Sequence, residues 1–486
     1  MCNNGESPTT WPIPAVHACV HLTVQELKYN VHDAANILPS HGQGSHRGTS
    51  QSPTGDSDQQ LWSKAPTRQR ELKITPNVVS LTRKDATSLS SIYVQAMRGR
   101  SGISRVANNT TPLISVEGGQ VFLADVTVGG KPFQVVIDTG SSDPWLAQTG
   151  FQCFDPINDA QLDQSVCEFG PAYDSSQSTT FTPVENLNFN ISYADGEYLN
   201  GGLGIDTFNM AGIEVPRQQF GVVSIAAWYG DGISSGLIGF AYRTLTSAYA
   251  GTDPRADIKG RQVPYNPLFV NMYEQQNVPA IFSIAMDRNS SAGGVLALGG
   301  IPDVQHSPYF ASTPIQGVSV NTTSGRQVYE FYTIDIDGYA ISANQSTQFS
   351  SYDNPDPRKT PLIHNGSDTI VDSGTSLCYV PDDVAEATAA LFDPPAYYSS
   401  TQGAYFVDCN SRAPVFGVGI GKKIFYVNSD DLIIEIQRNV CVMGIQSDGG
   451  GLSILGGTWM KNVLAVFDIE GEQMRFAARQ FYDLYA

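Results

Sequence analysis

Short apolar runs alternate with turn residues through most of this 486-residue chain. From residue 113 onward the runs include VFLADVTVGGKPFQVVID, FGVVSIAAW and FSIAMDRNSSAGGVLALGG, separated by Gly, Ser and Asn. Such runs between turn signals are typical of strands, so the sequence predicts an all-β protein. Helical character is limited to short stretches such as NPLFVNMYEQQ at residues 266–276 and PDDVAEATAALF at residues 381–392.

The N-terminal part of the chain has a different pattern. Residues 1–70 are polar, with little periodicity, and predict a disordered leader. Five of the seven histidines lie there, but a polar tract with irregular spacing favours disorder over a metal site. Within residues 71–112, LKITPNVVSLTRKD predicts a strand, ATSLSSIYVQAM a short helix capped by Asp85, and NNTTP an exposed linker.

One pattern occurs twice. VVIDTGSSDPW spans residues 135–145 and TIVDSGTSLCYV spans residues 369–380; in each, an apolar run precedes Asp, a hydroxyl residue, Gly and two more hydroxyl residues. Asp138 and Asp372 are 234 positions apart (372 − 138), and an apolar pair with Gly follows each, at Gly239 and Gly456. This internal duplication predicts two similar β-rich lobes, residues 113–302 and 303–486, each supplying one Asp loop.

Two carboxylates brought together by such loops cannot both ionise cheaply, so one keeps its proton. The pair could then hold a water molecule, with one carboxyl group as acid and the other as base. Gly140 and Gly374 would let backbone N–H groups approach the carboxylates, because glycine has no side chain. We expect the neighbouring hydroxyl groups to tie the loops together and orient the carboxylates; these are Thr139, Ser141, Ser373 and Thr375.

These motifs resemble those of the pepsin-like aspartic protease family, in particular its fungal members. The resemblance covers residues from about 113 to 486, with a pro-segment from about 71. It implies a bilobal fold of two pseudo-symmetric β-barrel-like lobes with a few short helices, and a monomer. It also implies an endopeptidase made as a zymogen, which hydrolyses proteins or peptides in acid next to apolar residues. Asp138 and Asp372 would be catalytic, and no cofactor or metal is implied.

ISYADGEYLNGGLGIDT, at residues 191–207, resembles the family's flap hairpin, which covers the substrate. Tyr193 matches the flap tyrosine, Gly196 the tip glycine, and Trp145 the indole that bonds the tyrosine. Asp195 resembles a residue of fungal members that helps accept Lys beside the cleaved bond, although an exposed turn aspartate is an equal alternative. The substrate-binding residues implied are Tyr193, Asp195, Gly196, Gly140, Gly374 and Thr375.

The resemblance also implies two disulfides, Cys153–Cys167 and Cys409–Cys441. Cys378 lacks an evident partner and is expected to be a buried apolar residue rather than a nucleophile. Paired cysteines and seven Asn-x-Ser/Thr sequons favour a secreted or vacuolar protein; the sequons begin at Asn108, Asn109, Asn190, Asn289, Asn321, Asn344 and Asn365. The first residues form a poor signal peptide, so we expect the natural chain to begin differently.

Charge is unevenly distributed along the chain. Residues 1–112 carry 11 Lys/Arg and 7 Asp/Glu, a net charge of +4. The whole chain has a net charge of −19, so the remaining residues have a net charge of −23 (−19 − 4). The acidic body argues against a nucleic-acid partner, and it would attract a basic pro-segment near neutral pH. The family resemblance implies that a basic pro-segment residue masks the aspartates before activation, and the candidates are Lys73, Arg83 and Lys84. No run of about 18 apolar residues occurs, so no membrane span is predicted.

Two residues depart from the family pattern. Gly457 stands where many members have an aspartate that helps keep the site acidic, so a strongly acidic optimum is less firmly implied. Pro144 replaces a Leu or Thr and is expected to be tolerated in a loop. The alternative function is a non-catalytic pepsin-fold protein that binds or inhibits other proteins. Such proteins typically lose one aspartate or the flap tyrosine, whereas this chain keeps all three.

Overall fold

The computed structural model describes residues 71–85, 120–193, 196–276, 278–288, 293–320, 327–344, 362–364 and 366–479. The predicted disordered leader, the short helix after Asp85 and the NNTTP linker lie outside these residues. Strands dominate the described part, which agrees with the all-β prediction. The two helical stretches predicted from the sequence form the helices Leu268–Gln275 and Asp382–Ala390.

The described residues up to 298, which we call the first half, contain twelve strands and one α-helix. In chain order they are β1 (Val78–Asp85), β2 (Gln120–Val128), β3 (Lys131–Asp138), β4 (Pro144–Phe154), β5 (Gln161–Leu162), β6 (Thr182–Ser192), β7 (Tyr198–Met210), β8 (Ile213–Ala227), β9 (Gly236–Gly239), β10 (Ala248–Ala250), α1 (Leu268–Gln275), β11 (Ile281–Met286) and β12 (Gly294–Leu298).

The described residues from 311 onward, which we call the second half, add smaller strands and two more α-helices. They are β13 (Ala311–Pro314), β14 (Ser319–Val320), β15 (Gln327–Val328), β16 (Thr333–Ile336), β17 (Gly338–Ser342), β18 (Ser367–Val371), β19 (Cys378–Val380), α2 (Asp382–Ala390), β20 (Tyr397–Ser399), β21 (Ala404–Val407), β22 (Val415–Ile420), β23 (Lys423–Val427), β24 (Ile433–Gln437), β25 (Val440–Met443), β26 (Ile445–Ser447), β27 (Ser453–Leu455), α3 (Gly457–Met460), β28 (Val463–Asp468) and β29 (Gln473–Ala478).

The two Asp loops have matching strand arrangements. In the first half, β9 pairs in parallel with β3 and antiparallel with β4, so it lies between the strands that flank the Asp138 loop. In the second half, β27 pairs in parallel with β18 and antiparallel with β19, around the Asp372 loop. The duplicated sequence motif therefore corresponds to a duplicated strand–loop–strand unit.

One large sheet carries most strands of the first half and continues into the second. Its order is β10-β6-β7-β8-β4-β9-β3-β2-β1-β12-β11-β28-β29-β13. Because β28 pairs with β11, the sheet crosses the lobe boundary expected near residue 302. Smaller sheets complete the second half, with the orders β16-β18-β27-β19-β26, β17-β22-β23 and β20-β21-β25-β24.

Strand β1 lies inside the large sheet, between β2 and β12. Leu81, at its centre, is 2% exposed. The strand is shorter than the sequence predicts: Ile74 forms only an isolated bridge, and the ladder begins at Val78. Pro76 intervenes, and proline has no N–H to donate to a strand ladder.

Two large hydrophobic cores and two smaller clusters hold the described strands together. The larger core links the halves, and in it the Phe282 ring stacks on Phe467 with centroids 4.4 Å apart. A second core lies under β6 and β7 and contains Trp145, Tyr193 and Trp228. Within the described ranges, no helix has the length and apolar character needed to cross a membrane.

Candidate active site

Asp138 and Asp372 each stand at the end of a buried strand. Asp138 is the last residue of β3, and Asp372 directly follows β18. The backbone fixes both loops against the neighbouring strand: Phe240 N–H donates to the Asp138 carbonyl oxygen at 2.7 Å, and Asp372 N–H donates to the Leu455 carbonyl oxygen at 3.1 Å. Both side chains are 0% exposed, which is rare for carboxyl groups outside functional or paired sites.

The two carboxyl groups have matching hydrogen-bond partners. Gly140 N–H donates to Asp138 Oδ1 at 2.7 Å, and Gly374 N–H donates to Asp372 Oδ1 at 2.9 Å. Thr375 Oγ1 donates to Asp372 Oδ2 at 2.6 Å, and the Ser141 hydroxyl bonds Asp138 Oδ2 in the same way. Each carboxyl group is therefore held in one orientation by a backbone donor and a hydroxyl donor, as the sequence predicts.

Gly140 shows how closely the loops approach each other. A Cβ atom at this position would lie 2.6 Å from Asp372 Cγ, far inside van der Waals contact. Any side chain at residue 140 would therefore displace the second carboxyl group. Glycine is required here for space, rather than for an unusual backbone angle.

Thr139 and Ser373 lock the two loops together. Thr139 N–H donates to Ser373 Oγ at 3.1 Å, and Ser373 N–H donates to Thr139 Oγ1 at 2.9 Å. Each hydroxyl also donates across the pair, Thr139 Oγ1 to the Val371 carbonyl oxygen and Ser373 Oγ to that of Ile137. These four bonds position the carboxyl groups relative to each other.

Burial raises the pKa of both aspartates, because the interior disfavours the ionised form. The pKa of Asp138 rises well above its ordinary value, since the charge of Asp372 and a hydrogen bond to Asp372 act in the same direction. For Asp372, the bonds from Asp138, Thr375 and the backbone lower the pKa and oppose burial. Both ionising at once is therefore costly, and the two carboxyl groups share one proton as a pair.

The flap hairpin, which we define as β6 and β7 with the described residues between them, brings Tyr193 within electrostatic reach of Asp138. Gly196 has a φ of +95° and donates its N–H to the Tyr193 carbonyl oxygen at 3.2 Å, forming the turn. Trp145 Nε1 donates to the Tyr193 hydroxyl oxygen at 2.9 Å, and Tyr193 is buried. Burial and then the charge of Asp138 raise the Tyr193 pKa, so it remains a neutral hydroxyl. Asp195 lies outside the described residues.

An aromatic cluster beside the flap hairpin was not identified from the sequence. The Trp228 ring packs edge-on against Trp145 at 5.3 Å and against Tyr193 at 5.5 Å, and it stacks on Phe169 at 6.2 Å. The sequence offers one weak signal, the aromatic pair Trp228–Tyr229 immediately after β8. Nothing in the local pattern indicates that this strand end meets Tyr193.

Asp143 was also missed, although it is a third buried carboxyl group near the site. It is 0% exposed, accepts the Tyr265 hydroxyl at 2.5 Å, and receives Ser247 N–H at both oxygens, at 2.9 and 3.1 Å. Burial raises its pKa to about 6, while these bonds act in the opposite direction. Tyr265 is 122 residues away, so the sequence around Asp143 gives no sign of this partner.

The two departures from the family pattern occupy defined places. Pro144, expected in a loop, is instead the first residue of β4, a strand position where proline is tolerated. Gly457 begins α3, and its N–H donates to the Thr375 carbonyl oxygen at 2.7 Å. A Cβ atom there would lie 3.3 Å from the Ser376 carbonyl oxygen, so a side chain would need only a small local shift.

The structure contains both disulfides implied by the resemblance, Cys153–Cys167 and Cys409–Cys441. Cys378 is buried, as predicted, and burial raises its thiol pKa to about 12. A thiol that stays protonated is a poor nucleophile. Among the residues that the structure describes, no three His, Cys, Asp or Glu side chains form a group suited to a metal ion.

The basic candidates lie along β1 and the residues before it. The Arg83 guanidinium donates to the Arg288 carbonyl oxygen, and the Lys73 carbonyl oxygen accepts Ile301 N–H at 3.0 Å. The Lys73 side chain is exposed, and the Lys84 side chain lies outside the described part of the chain. A masking role for any of them stays a prediction.

Comparisons with known proteins agree with this geometry. The sequence model of the family "Eukaryotic aspartyl protease" matches residues 121–479. A probable aspartic-type endopeptidase of Aspergillus fumigatus is 41% identical over 386 residues, which cover 77% of this chain and 82% of the relative. Rhizopuspepsin-1 of Rhizopus niveus is 26% identical over 397 residues, covering 79% and 86%.

A solved structure shares the fold. The crystal structure of an aspartic proteinase from Irpex lacteus superposes with a TM-score of 0.51 at 18% identity, covering 74% of this chain and 95% of that one. At this identity the likeness concerns the fold alone, and it agrees with the pepsin-like architecture predicted from the sequence. Together with the family match over most of the chain, it leads to one conclusion. The chain belongs to the eukaryotic aspartyl protease family and is an aspartic-type endopeptidase.

Proposed function

We propose that this protein is an acid endopeptidase made as a zymogen, which cleaves protein substrates between apolar residues in a secreted or vacuolar setting. The observation that carries the proposal is the pair Asp138 and Asp372. Both carboxyl groups are fully buried, each is oriented by one backbone N–H and one hydroxyl, and their loops are bonded to each other. A rigid pair that shares one proton supplies an acid and a base in one step.

The chemistry follows from that shared proton. In our proposal Asp372 is the ionised member, and it removes a proton from water as the water oxygen bonds to the substrate carbonyl carbon. Asp138 donates its proton to the carbonyl oxygen, which gives a neutral tetrahedral diol. Asp372, now protonated, then gives its proton to the amide nitrogen, while the ionised Asp138 takes a proton from a hydroxyl of the diol. The C–N bond breaks, an amine and a carboxylic acid leave, and the pair returns to its starting protonation state. Hydrogen bonds from Gly140, Ser141, Gly374 and Thr375 keep both carboxyl groups in position throughout.

Apolar preference is supported by the surroundings of the flap hairpin. One aromatic cluster contains Tyr193, Trp145 and Trp228, each 6% exposed or less. An apolar side chain of a substrate would bury its surface against such rings, and each buried CH₂ contributes about 0.8 kcal/mol. We propose Tyr193, Asp195, Gly196 and the backbone at Gly140 and Gly374 as the substrate contacts.

Production as a zymogen is supported by charge and by the place of β1. A +4 leader and a −23 body attract each other at neutral pH, and protonation of the body's carboxylates in acid weakens that attraction. Residues 78–85 form the central strand β1, so proteolysis in residues 86–119 would cut between two paired strands, β1 and β2. The two disulfides fit an oxidising secretory compartment.

The non-catalytic alternative is less well supported. A protein that only binds others has no need for an intact acid–base pair, and loss of one aspartate or of the flap tyrosine would be expected. Here Asp138, Asp372 and Tyr193 are all present and bonded to partners that suit catalysis.

Replacement of one carboxyl group tests the proposal. The purified chain would be incubated at about pH 4 with a protein substrate, and mass spectrometry would report the cleavage sites and the mature N-terminus. We expect wild-type cleavage next to apolar residues, and background activity for Asp372→Asn, which cannot act as the base. Asp368→Asn, an exposed position on the same strand, is the control and should cleave normally. Cleavage by Asp372→Asn at the wild-type rate would refute the assignment.

A further inference from the structure

The flap hairpin carries a buried carboxylate that catalysis does not use. Glu197 directly follows the turn glycine Gly196 and is only 1% exposed. Its Oε1 accepts the N–H of Tyr229 at 2.8 Å. Burial of a carboxylate is costly unless it makes hydrogen bonds, so the bond to Tyr229 helps to determine where this side chain lies.

The bond joins two segments just beyond the end of their strand pairing. The last register pair of β7 and β8 on this side is Tyr198 with Ala227. Glu197 precedes β7 and Trp228 follows β8, so the carboxylate adds a side-chain bond where the backbone ladder stops.

Segment 228–232 is fixed from its other side as well. Gly230 N–H donates to the Cys167 carbonyl oxygen at 3.1 Å, and Gly232 N–H donates to that of Glu168 at 2.7 Å. Cys167 is tied to β4 by its disulfide with Cys153. The segment therefore connects the flap hairpin to a cross-linked part of the same half of the chain.

This arrangement fixes the position of Trp228. Its ring packs edge-on against Tyr193 at 5.5 Å and against Trp145 at 5.3 Å, next to the hydrogen bond between those two residues. Glu197 is thus one bond away from the backbone that carries the ring. The ring packs beside Tyr193 and is 6% exposed, and we refer to these two side chains as the apolar wall.

We propose that Glu197 is a positioning residue that holds Trp228 against Tyr193 and so maintains the wall that selects large apolar substrate side chains. The inference rests on the proposed acid endopeptidase function and deepens it. The role needs an acceptor oxygen at the end of the Glu197 side chain and does not need its charge. Glutamine at this position should therefore work, whereas alanine should not.

Three variants separate these requirements. Glu197→Ala removes the acceptor, Glu197→Gln keeps it, and Glu197→Asp withdraws it by one methylene group. Glu214→Ala, at an exposed position of β8, is the matched control. Two readouts apply: hydrogen exchange of peptides covering residues 228–232, and kcat/KM for a pair of peptide substrates that differ only by Phe or Ala beside the cleaved bond.

For Glu197→Ala we expect faster exchange at residues 228–232 and about a tenfold lower kcat/KM for the Phe peptide, with a loss of about twofold or less for the Ala peptide. Glu197→Asp should show the same direction with a smaller effect. Glu197→Gln and Glu214→Ala should remain within about threefold of wild type for both peptides.

Two outcomes would overturn the inference. One is wild-type exchange and an unchanged Phe-to-Ala ratio in Glu197→Ala, or in Glu197→Asp if the alanine variant does not fold. The other is a Glu197→Gln variant as impaired as Glu197→Ala, which would assign the effect to charge. Hydrogen exchange can be measured on an inactive protein. A wild-type protein that cleaves nothing would therefore refute the proposed function, and the exchange result would still test whether Glu197 positions residues 228–232.

Discussion

Thr139 and Ser373 each donate a backbone N–H to the other's hydroxyl oxygen, at 3.1 and 2.9 Å, although 234 residues separate them. Each hydroxyl then donates its own proton to a carbonyl oxygen of the opposite strand. These hydrogen bonds are reciprocal, so neither loop can shift without breaking bonds to the other. This relationship makes the distance between the two carboxyl groups a property of the fold rather than of either loop.

Replacement of Thr139 by valine should therefore destabilise the protein and reduce catalysis together. The variant keeps the shape but leaves Ser373 N–H and the Val371 carbonyl oxygen buried without that hydroxyl, at a cost of about 1–3 kcal/mol. Urea unfolding and kcat measure the two effects. Thr388→Val is the control, because Thr388 is buried in α2 and its hydroxyl also donates to a carbonyl oxygen. Equal losses of activity in both variants would contradict a specific role for the lock.

Asp143 should make the fold more stable in acid than at neutral pH. Its pKa rises from 3.8 to about 6 in the folded protein, so folding favours its protonated form. The associated stability is complete below pH 3.8 and is lost as the pH rises through about 6. The difference corresponds to about 3 kcal/mol, as an order of magnitude, for this fully buried group.

Asp143→Asn tests this effect, because an amide does not titrate. We expect the free energy of unfolding of the wild type to fall between about pH 3.5 and about pH 7 by about 3 kcal/mol more than that of the variant. Chemical denaturation at both pH values gives the two differences. The raised pKa values of Asp138 and Asp372 add a loss in the same direction, which both proteins share. Parallel pH dependence of the two proteins would show that Asp143 is not the source.

Asn190 should carry no glycan in the folded protein, even though it begins a sequon. Its Nδ2 donates to Asp257 Oδ2 at 2.8 Å and to the Pro254 carbonyl oxygen at 3.1 Å, and its oxygen accepts from Asn200. A glycan would occupy that nitrogen and break these bonds. Asn344 is exposed and serves as the internal comparison.

Peptide mass spectrometry of protein from a secretory host measures both sites. We expect an unmodified Asn190 peptide and a glycosylated Asn344 peptide. Full occupancy of Asn190 in active, folded protein would contradict the arrangement around Asp257.

The local pattern was enough to predict the all-β class, the helices near residues 266 and 381, and the two Asp loops. The reason is that each depends on residues close together in sequence: alternating apolar positions, turn residues, and a carboxylate beside glycine and hydroxyl groups. The length of β1 was overestimated, although Pro76 was visible. The loop expected around Pro144 proved to be the start of β4, because pairing with β9 decides where that strand begins.

The sequence by itself determined that two matched carboxylate loops exist and which hydroxyl groups accompany them, because a duplicated motif can be recognised from the order of residues alone. Only the tertiary structure decided that β1 lies at the centre of the large sheet and that β28 carries the sheet across the expected lobe boundary. Only the tertiary structure, too, brought Tyr265 to Asp143 and the Tyr229 N–H to Glu197. Burial depends on contacts between distant segments, so the cost of burying a charge arises only when those segments meet. This cost raises the pKa of Asp143 and creates the need for a hydrogen-bond partner at Glu197.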